Sequence, residues 1–275
     1  MKKDKSVLII GGDKRQKFLF KLLSEDGYNV THLNENSDNL YDLINSNDIV
    51  FLPLPASKDR VHIYSDTDNF RLKIADAVKS IKNTSVVFGG GIPKEVRDYF
   101  EDESIEYHDC LISELFELQN AYFTAQGALK LLLDNTEDYL LGKTVLITGF
   151  GRIATALSEM LKNLNMKVTV AARNELQLKT AKLSGFQTIN LKELRNLSGF
   201  DFVFNTVPYR IFDEAAMSSA GKNSVYFELA SAPFGLDREL TQKYDIRYVQ
   251  GGALPGKYLP LSSAKLLKEY MEQFI

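Results

Sequence analysis

The residues with the clearest chemistry are Gly149, Gly151 and Ala154, within Gly149-Phe150-Gly151-Arg152-Ile153-Ala154. Their spacing is that of the G-x-G-x-x-G/A turn that binds dinucleotides, and Val145-Leu146-Ile147 just before it reads as a short buried parallel strand. In such a turn Gly149 permits the tight reversal and Gly151 lets backbone N–H groups approach a diphosphate with no Cβ in the way. Ala154 lets the following helix pack closely on its strand. The diphosphate would sit at the positive end of the helix opening near Arg152. A purely structural glycine turn is the alternative, but a strand–turn–helix setting inside a unit of about 30 residues favours the nucleotide.

Cofactor choice is read at the end of the next strand. A carboxylate at Ala171 or Ala172 would accept from a ribose 2′-OH and repel a 2′-phosphate; none is present, and Arg173-Asn174 follows. A guanidinium pairs with that phosphate and stacks on adenine, so NADP is the expected cofactor, with NAD second. Asn205-Thr206-Val207-Pro208 lies beyond the fourth strand of this half, where Thr206 and the backbone would line the nicotinamide ribose. A Pro-terminated strand with a capping Asn is the other reading. The strand-end segments Glu228–Pro233 and Gly251–Gly256 add Ala230 and Leu254 to the cofactor residues.

A second glycine turn, Gly11-Gly12-Asp13-Lys14-Arg15-Gln16, lacks the third small residue and suits a compact anion better than a diphosphate. Cations at a helix N-terminus oppose its dipole, which gives Lys14 and Arg15 a reason to hold carboxylates, Arg15 with bidentate geometry. Asp13, Lys14, Arg15 and Gln16 are therefore the expected substrate-binding residues, against the alternative of an exposed helix start. Gly89-Gly90-Gly91 is either a close approach to substrate or a loop. His32, His62 and His108 show no metal-ligand spacing, so structural or surface roles are expected and no metal.

The elements that must position these residues follow from patterning. At 275 residues, with 44% apolar and 25% charged residues, the chain suits two soluble α/β lobes. The alternation of short strands with helices is that of parallel sheets. The expected fold is α/β with two lobes. Residues 1–118 form a flavodoxin-like, doubly wound sheet domain; residues 119–260 form a Rossmann NAD(P)-binding domain; a long interlobe helix over 111–133 joins them. A last amphipathic helix, 261–275, packs back on the first lobe or stays with the second. Helices are also expected over Arg15–Glu25 and Asn69–Ile81.

A net charge of −3 with interspersed signs gives no basic field for nucleic acid. No segment has bilayer-spanning length, and the basic start Met1-Lys2-Lys3 is followed by too short an apolar run for a signal peptide. The one cysteine, Cys110, is expected to be buried, and a cytoplasmic location fits it.

With these residues in view, the chain resembles the A-subunit family of dipicolinate synthase over nearly its whole length. The likeness is carried by Ile10-Gly-Gly-Asp-Lys-Arg-Gln16, Asn120-Ala-Tyr-Phe-Thr-Ala-Gln-Gly127, Gly149-Phe-Gly-Arg152, Ala171-Ala-Arg173, Asn205-Thr-Val-Pro208, Leu229-Ala-Ser231 and Gly252-Ala-Leu-Pro-Gly256. The resemblance implies an enzyme using NADP or NAD that oxidises a hydroxylated tetrahydropyridine or dihydropyridine dicarboxylate to pyridine-2,6-dicarboxylate. It further implies a partner, the flavoprotein-like B subunit, in spore-forming bacteria. Lys14 and Arg15 then hold the dicarboxylate, while Thr124 and Gln126 orient the ring or its hydroxyl and are the expected catalytic residues. A homo-oligomer is expected. The chain departs from the family at Phe123 and Gln126, where the motif offers Pro and Glu, and in Leu259-Pro-Leu-Ser-Ser263, which lacks the family's Lys. Two other functions stay open: a shikimate-dehydrogenase-like NADP oxidoreductase, which needs a Lys–Asp pair in the first lobe, and a non-catalytic NADP-binding module acting with a partner.

Overall fold

The computed structural model describes residues 4–35, 39–236 and 238–275; the basic start Met1-Lys2-Lys3 lies outside them. The chain forms two compact units, residues 1–120 with 259–275, and residues 121–258.

The first unit is built from β1 (Ser6–Ile10), α1 (Lys14–Glu25), β2 (Asn29–Leu33), α2 (Leu40–Ser46), β3 (Ile49–Phe51), α3 (Ile74–Lys79), β4 (Val86–Gly89), α4 (Lys94–Asp102) and β5 (Glu106–Asp109). Its sheet runs β2-β1-β3-β4-β5 with every neighbouring pair parallel, the flavodoxin-like order. Val7 to Ile10 are all buried, because helices cover both faces of the sheet and leave no reason for polar alternation. The helix expected over Asn69–Ile81 is confined to Ile74–Lys79. Residues before it are extended: Ile63 N–H donates to Leu72 C=O and Ile74 N–H to Val61 C=O, each at 2.9 Å. Phe70 and Leu72 are buried there with a period of two, which a helical pattern had absorbed.

The 20-residue α5 (Glu114–Leu133) follows, and the division between the units falls within it, after Asn120. It starts later than the apolar pattern suggests because Cys110–Ile112 is a 3-10 turn, capped by Asp109, whose side chain accepts from Leu111 N–H. The second unit continues with β6 (Thr144–Thr148), α6 (Arg152–Asn163), β7 (Lys167–Ala172), α7 (Glu175–Leu183), β8 (Gln187–Asn190), β9 (Phe202–Asn205), α8 (Glu214–Ser218), β10 (Val225–Glu228), α9 (Arg238–Lys243), β11 (Arg247–Gln250) and α10 (Leu254–Tyr258). The sheet order is β11-β10-β9-β6-β7-β8, again all parallel. Counted from β6 this is 6-5-4-1-2-3, the doubly wound dinucleotide-binding order, and its direction reverses between β6 and β9. Gly127 has a packing role in α5. A Cβ there would stand 2.8 Å from the Cβ of Leu254, so only glycine lets α10 seat against this helix.

The last helix, α11 (Pro260–Met271), belongs to the first unit and packs along α1. Ala264, Leu267 and Met271 are buried, and Lys268 pairs with Asp26. Beyond it Phe274 stacks on His108, centroids 3.8 Å apart, beside Phe88.

Candidate functional site

The strand order reversal brings the ends of β6, β7 and β9 together, and the glycine turn sits among them. Gly149 has φ +85°, and a Cβ on it would lie 2.8 Å from Thr206 Oγ1 and 3.1 Å from Val207 Cγ2. Both the left-handed backbone and the close approach require glycine here. Gly151 differs. Its φ of −89° is open to any residue, and a Cβ would meet nothing within 4 Å. Gly151 is the N-cap of α6 and supplies no side-chain acceptor to the first turn of that helix. The positive end of α6 is thus left for an external anion. Ala154 is buried on the strand side.

At the turn is a cleft of about 300 Å³, lined by Ala172, Arg173, Asn174 and Gln177 from the end of β7 and the start of α7, by Thr206, Val207 and Pro208 after β9, and by Leu191. That volume is at the small end of ligand sites and suits the adenosine portion of a dinucleotide. Gly149, Phe150 and Gly151 form its base. Eight of the expected cofactor residues line it. Four do not: Arg152 is exposed and Ile153 half-buried on the first turn of α6, Ala230 is half-buried after β10, and Leu254 is 1% exposed. Leu254 is a correction with a clear cause, since it fills the core against Gly127. Thr206, expected among the cofactor residues, shares the cleft with Arg173 because β7 and β9 flank β6.

The Arg173 guanidinium lies 5.5 Å above the Tyr209 ring, a cation–π contact that holds it at the rim. Asn174 caps α7, its side chain accepting from Leu176 N–H at 2.8 Å. The Phe150 ring meets Phe186 edge-on and serves the core. Gln177, Leu191 and Tyr209 were missed. Only Gln177 had a signal, a polar residue in the first turn of the helix after the arginine-bearing strand.

Behind the cleft three residues in register on neighbouring strands, Thr148, Asn205 and Glu228, form a buried polar row. Thr148 Oγ1 donates to Asn205 Oδ1 at 2.6 Å, and Asn205 Nδ2 donates to Glu228 Oε1 at 2.6 Å. Glu228 also accepts from the N–H groups of Ala230 at 3.2 Å and Gly235 at 2.8 Å. Burial pushes its carboxyl above the usual range against these donors.

In the first unit the second glycine turn closes on itself. Asp13 caps α1, accepting from Arg15 N–H at 3.0 Å, and Gln16 returns a bond to Asp13 N–H at 3.0 Å. Arg15 is 4% exposed; its Nε and Nη2 bind Asp13, and Nη2 also binds the Leu54 carbonyl. Burial would raise the Asp13 carboxyl, but Arg15 outweighs it and holds the group below the usual carboxylate range. Arg15, expected to hold a substrate carboxylate, instead holds that of Asp13, which is the anion at this helix end. Lys14 is exposed. Lys58, which sequence reasoning missed, sits 3.6 Å over the Tyr64 ring and, among the described residues, makes no ion pair. Burial beside Arg15 pushes its ammonium below the usual lysine range.

Thr124 is half-buried and Gln126 exposed on the second-unit part of α5, so they belong to a different unit from Asp13, Lys14, Arg15 and Gln16. His32 bonds the Gly11 carbonyl at 2.8 Å, His62 pairs with Asp59, and His108 pairs with Glu106. Cys110 is buried. Among the described residues no helix is long and apolar enough to cross a membrane.

Comparison with known proteins agrees with this architecture. The family described as the N-terminal domain of the dipicolinate synthase A subunit matches residues 6–111. That described as D-isomer specific 2-hydroxyacid dehydrogenase, NAD binding domain, matches residues 98–233. The A subunit of dipicolinate synthase from Bacillus subtilis (strain 168) is 23% identical, over 98% of this chain and 95% of that protein. The crystal structure of the Bacillus halodurans dipicolinate synthase A subunit superposes with a TM-score of 0.81 at 21% identity, covering 98% of this chain and 97% of that one. Apo D-lactate dehydrogenase from Escherichia coli superposes at 0.69 with 11% identity, covering 98% and 96%, a likeness of fold. A dehydrogenase-type NAD-binding domain behind a dipicolinate synthase N-terminal domain supports an oxidoreductase role, and over nearly its whole length the chain is similar to the A subunit of dipicolinate synthase.

Proposed function

We propose that the chain binds NADP in the cleft beside Arg173 and oxidises a hydroxylated tetrahydropyridine or dihydropyridine dicarboxylate to pyridine-2,6-dicarboxylate. The observation that carries the cofactor reading is the pairing of an uncapped α6 N-terminus with a stacked arginine at the rim, where buried Ala171 and Ala172 offer no carboxylate. The α6 end and the Gly151 backbone would hold the diphosphate, and Arg173 the 2′-phosphate. A bound nicotinamide supplies the hydride acceptor. From a dihydropyridine the ring loses one hydride and one proton, and a hydroxylated tetrahydropyridine first loses water; aromatisation drives the oxidation. With Arg15 neutralised by Asp13, the cations of the first unit that suit a carboxylate are Lys14 and Lys58. Thr124 and Gln126 are proposed to orient the ring. The proposed partner is a B subunit, with self-association measurable in the same preparations.

The test supplies pyruvate, aspartate semialdehyde, dihydrodipicolinate synthase and NADP to the purified chain, with its B partner and without it, and follows dipicolinate by terbium luminescence. Product with NADP is the expected result. Tight NADPH binding with no product under either condition would favour the cofactor-binding module over the enzyme.

A further inference from the structure

The cleft wall Thr206-Val207-Pro208 is a loop, and loops hold their shape only when their backbone groups are satisfied. The Asn205 side chain does this from below. Its Oδ1 accepts from Val207 N–H at 3.1 Å, and its Nδ2 donates to Val207 C=O at 2.9 Å. An amide works in that position only one way round, because its donor and acceptor ends are not interchangeable. Thr148 is an ambiguous guide, since a hydroxyl both donates and accepts. Glu228 is the better guide: both of its oxygens face N–H donors, Oε1 that of Ala230 and Oε2 that of Gly235, so the Asn205 end bonded to Oε1 is the amino group. Glu228 is in turn pinned by the N–H groups of Ala230 and Gly235 and is 1% exposed. Gly235 permits this contact; a Cβ there would lie 2.4 Å from Asn205 Nδ2.

We infer that Glu228 is a positioning residue for the cofactor. Through Asn205 it orients the amide that shapes Thr206–Pro208, and it sets the width of the cleft without touching the ligand. The inference rests on the cleft being the cofactor site.

The experiment measures NADPH and NADH affinity by calorimetry for the full chain and its Glu228→Gln, Asn205→Ala and double variants. Glutamine keeps the shape, but one of its ends becomes a donor set against either Asn205 Nδ2 or Gly235 N–H. Affinity should fall about tenfold in Glu228→Gln, the equivalent of losing one charge-assisted hydrogen bond. In the Asn205→Ala background the same substitution should change affinity by less than about twofold, because the residue acts through Asn205. A merely structural contribution would give multiplying losses, and that result, or unchanged affinity in Glu228→Gln, would overturn the inference. If the glutamine variant does not fold, Glu228→Asp takes its place. It keeps the charge but withdraws it from Asn205, and it should show the same dependence on background. Wild-type chain that binds neither NADPH nor NADH would instead overturn the cofactor reading beneath it.

Discussion

The two glycines of the nucleotide turn make opposite demands, and replacing each by alanine separates fold from ligand. In Gly149→Ala the new methyl is forced into φ +85°, which costs an L-residue roughly 1–2 kcal/mol. It also lands 2.8 Å from Thr206 Oγ1, a hydroxyl fixed by its 2.7 Å bond to Thr148 C=O. Displacing that hydroxyl forfeits about 1 kcal/mol more. The total of roughly 2–3 kcal/mol should lower the melting temperature by roughly 5–10 °C for a unit of this size. In Gly151→Ala the backbone at φ −89° accepts alanine and the methyl touches nothing within 4 Å. Only the weaker N-cap preference is lost, about 1 kcal/mol or less. Its methyl nevertheless occupies the approach to the α6 N-terminus, so NADPH affinity should fall at least tenfold, the scale of one lost charge-assisted bond. Differential scanning fluorimetry and calorimetric titration on the same samples read both quantities. A Gly151→Ala chain that binds NADPH as the parent does would refute the placement of the diphosphate.

Three other outcomes are expected. Arg173→Asp should move preference from NADPH toward NADH by about tenfold or more, measured as the ratio of dissociation constants, because a carboxylate repels the 2′-phosphate and accepts from a 2′-OH; an unchanged ratio would remove Arg173 from cofactor selection. Lys58→Ala should raise the KM for the dicarboxylate about tenfold and leave kcat near its parent value, as loss of uniform anion binding does. Burial holds the His32 imidazole below its ordinary 6.5, with the Gly11 contact opposing only in part. The unfolded chain therefore takes up this proton first, so the contribution to stability is intact above 6.5 and declines as pH falls below it. Urea denaturation at about pH 7 and about pH 5.5 should show a smaller loss in His32→Gln, which retains a donor for Gly11; equal losses would show that His32 is not the titrating group.

The parallel sheets were legible because their signal is local: Val7 to Ile10 and Val145 to Ile147 are short apolar runs between breakers, and Lys167–Ala172 matches its strand end to end. The glycine spacing at 149, 151 and 154 was legible for the same reason, since backbone needs within one turn leave a mark on adjacent residues. Other features depend on partners far along the chain. Nothing in Gly11–Gln16 says that Arg15 will be spent on Asp13 and the Leu54 carbonyl, because the carbonyl comes from the loop after β3. Asn69–Lys73 reads as helix until residues 61–63 pair with it. By itself the sequence determined two α/β sheets, a dinucleotide turn and the arginine that follows it. Only the tertiary structure decided that α11 returns to α1, that Leu254 fills the space left by Gly127, and that Thr148, Asn205 and Glu228 stand in one row. Sequence spacing records what a segment requires of its own backbone, whereas the partner of a buried polar or apolar group is chosen by the packing of segments that the chain brings together from a distance.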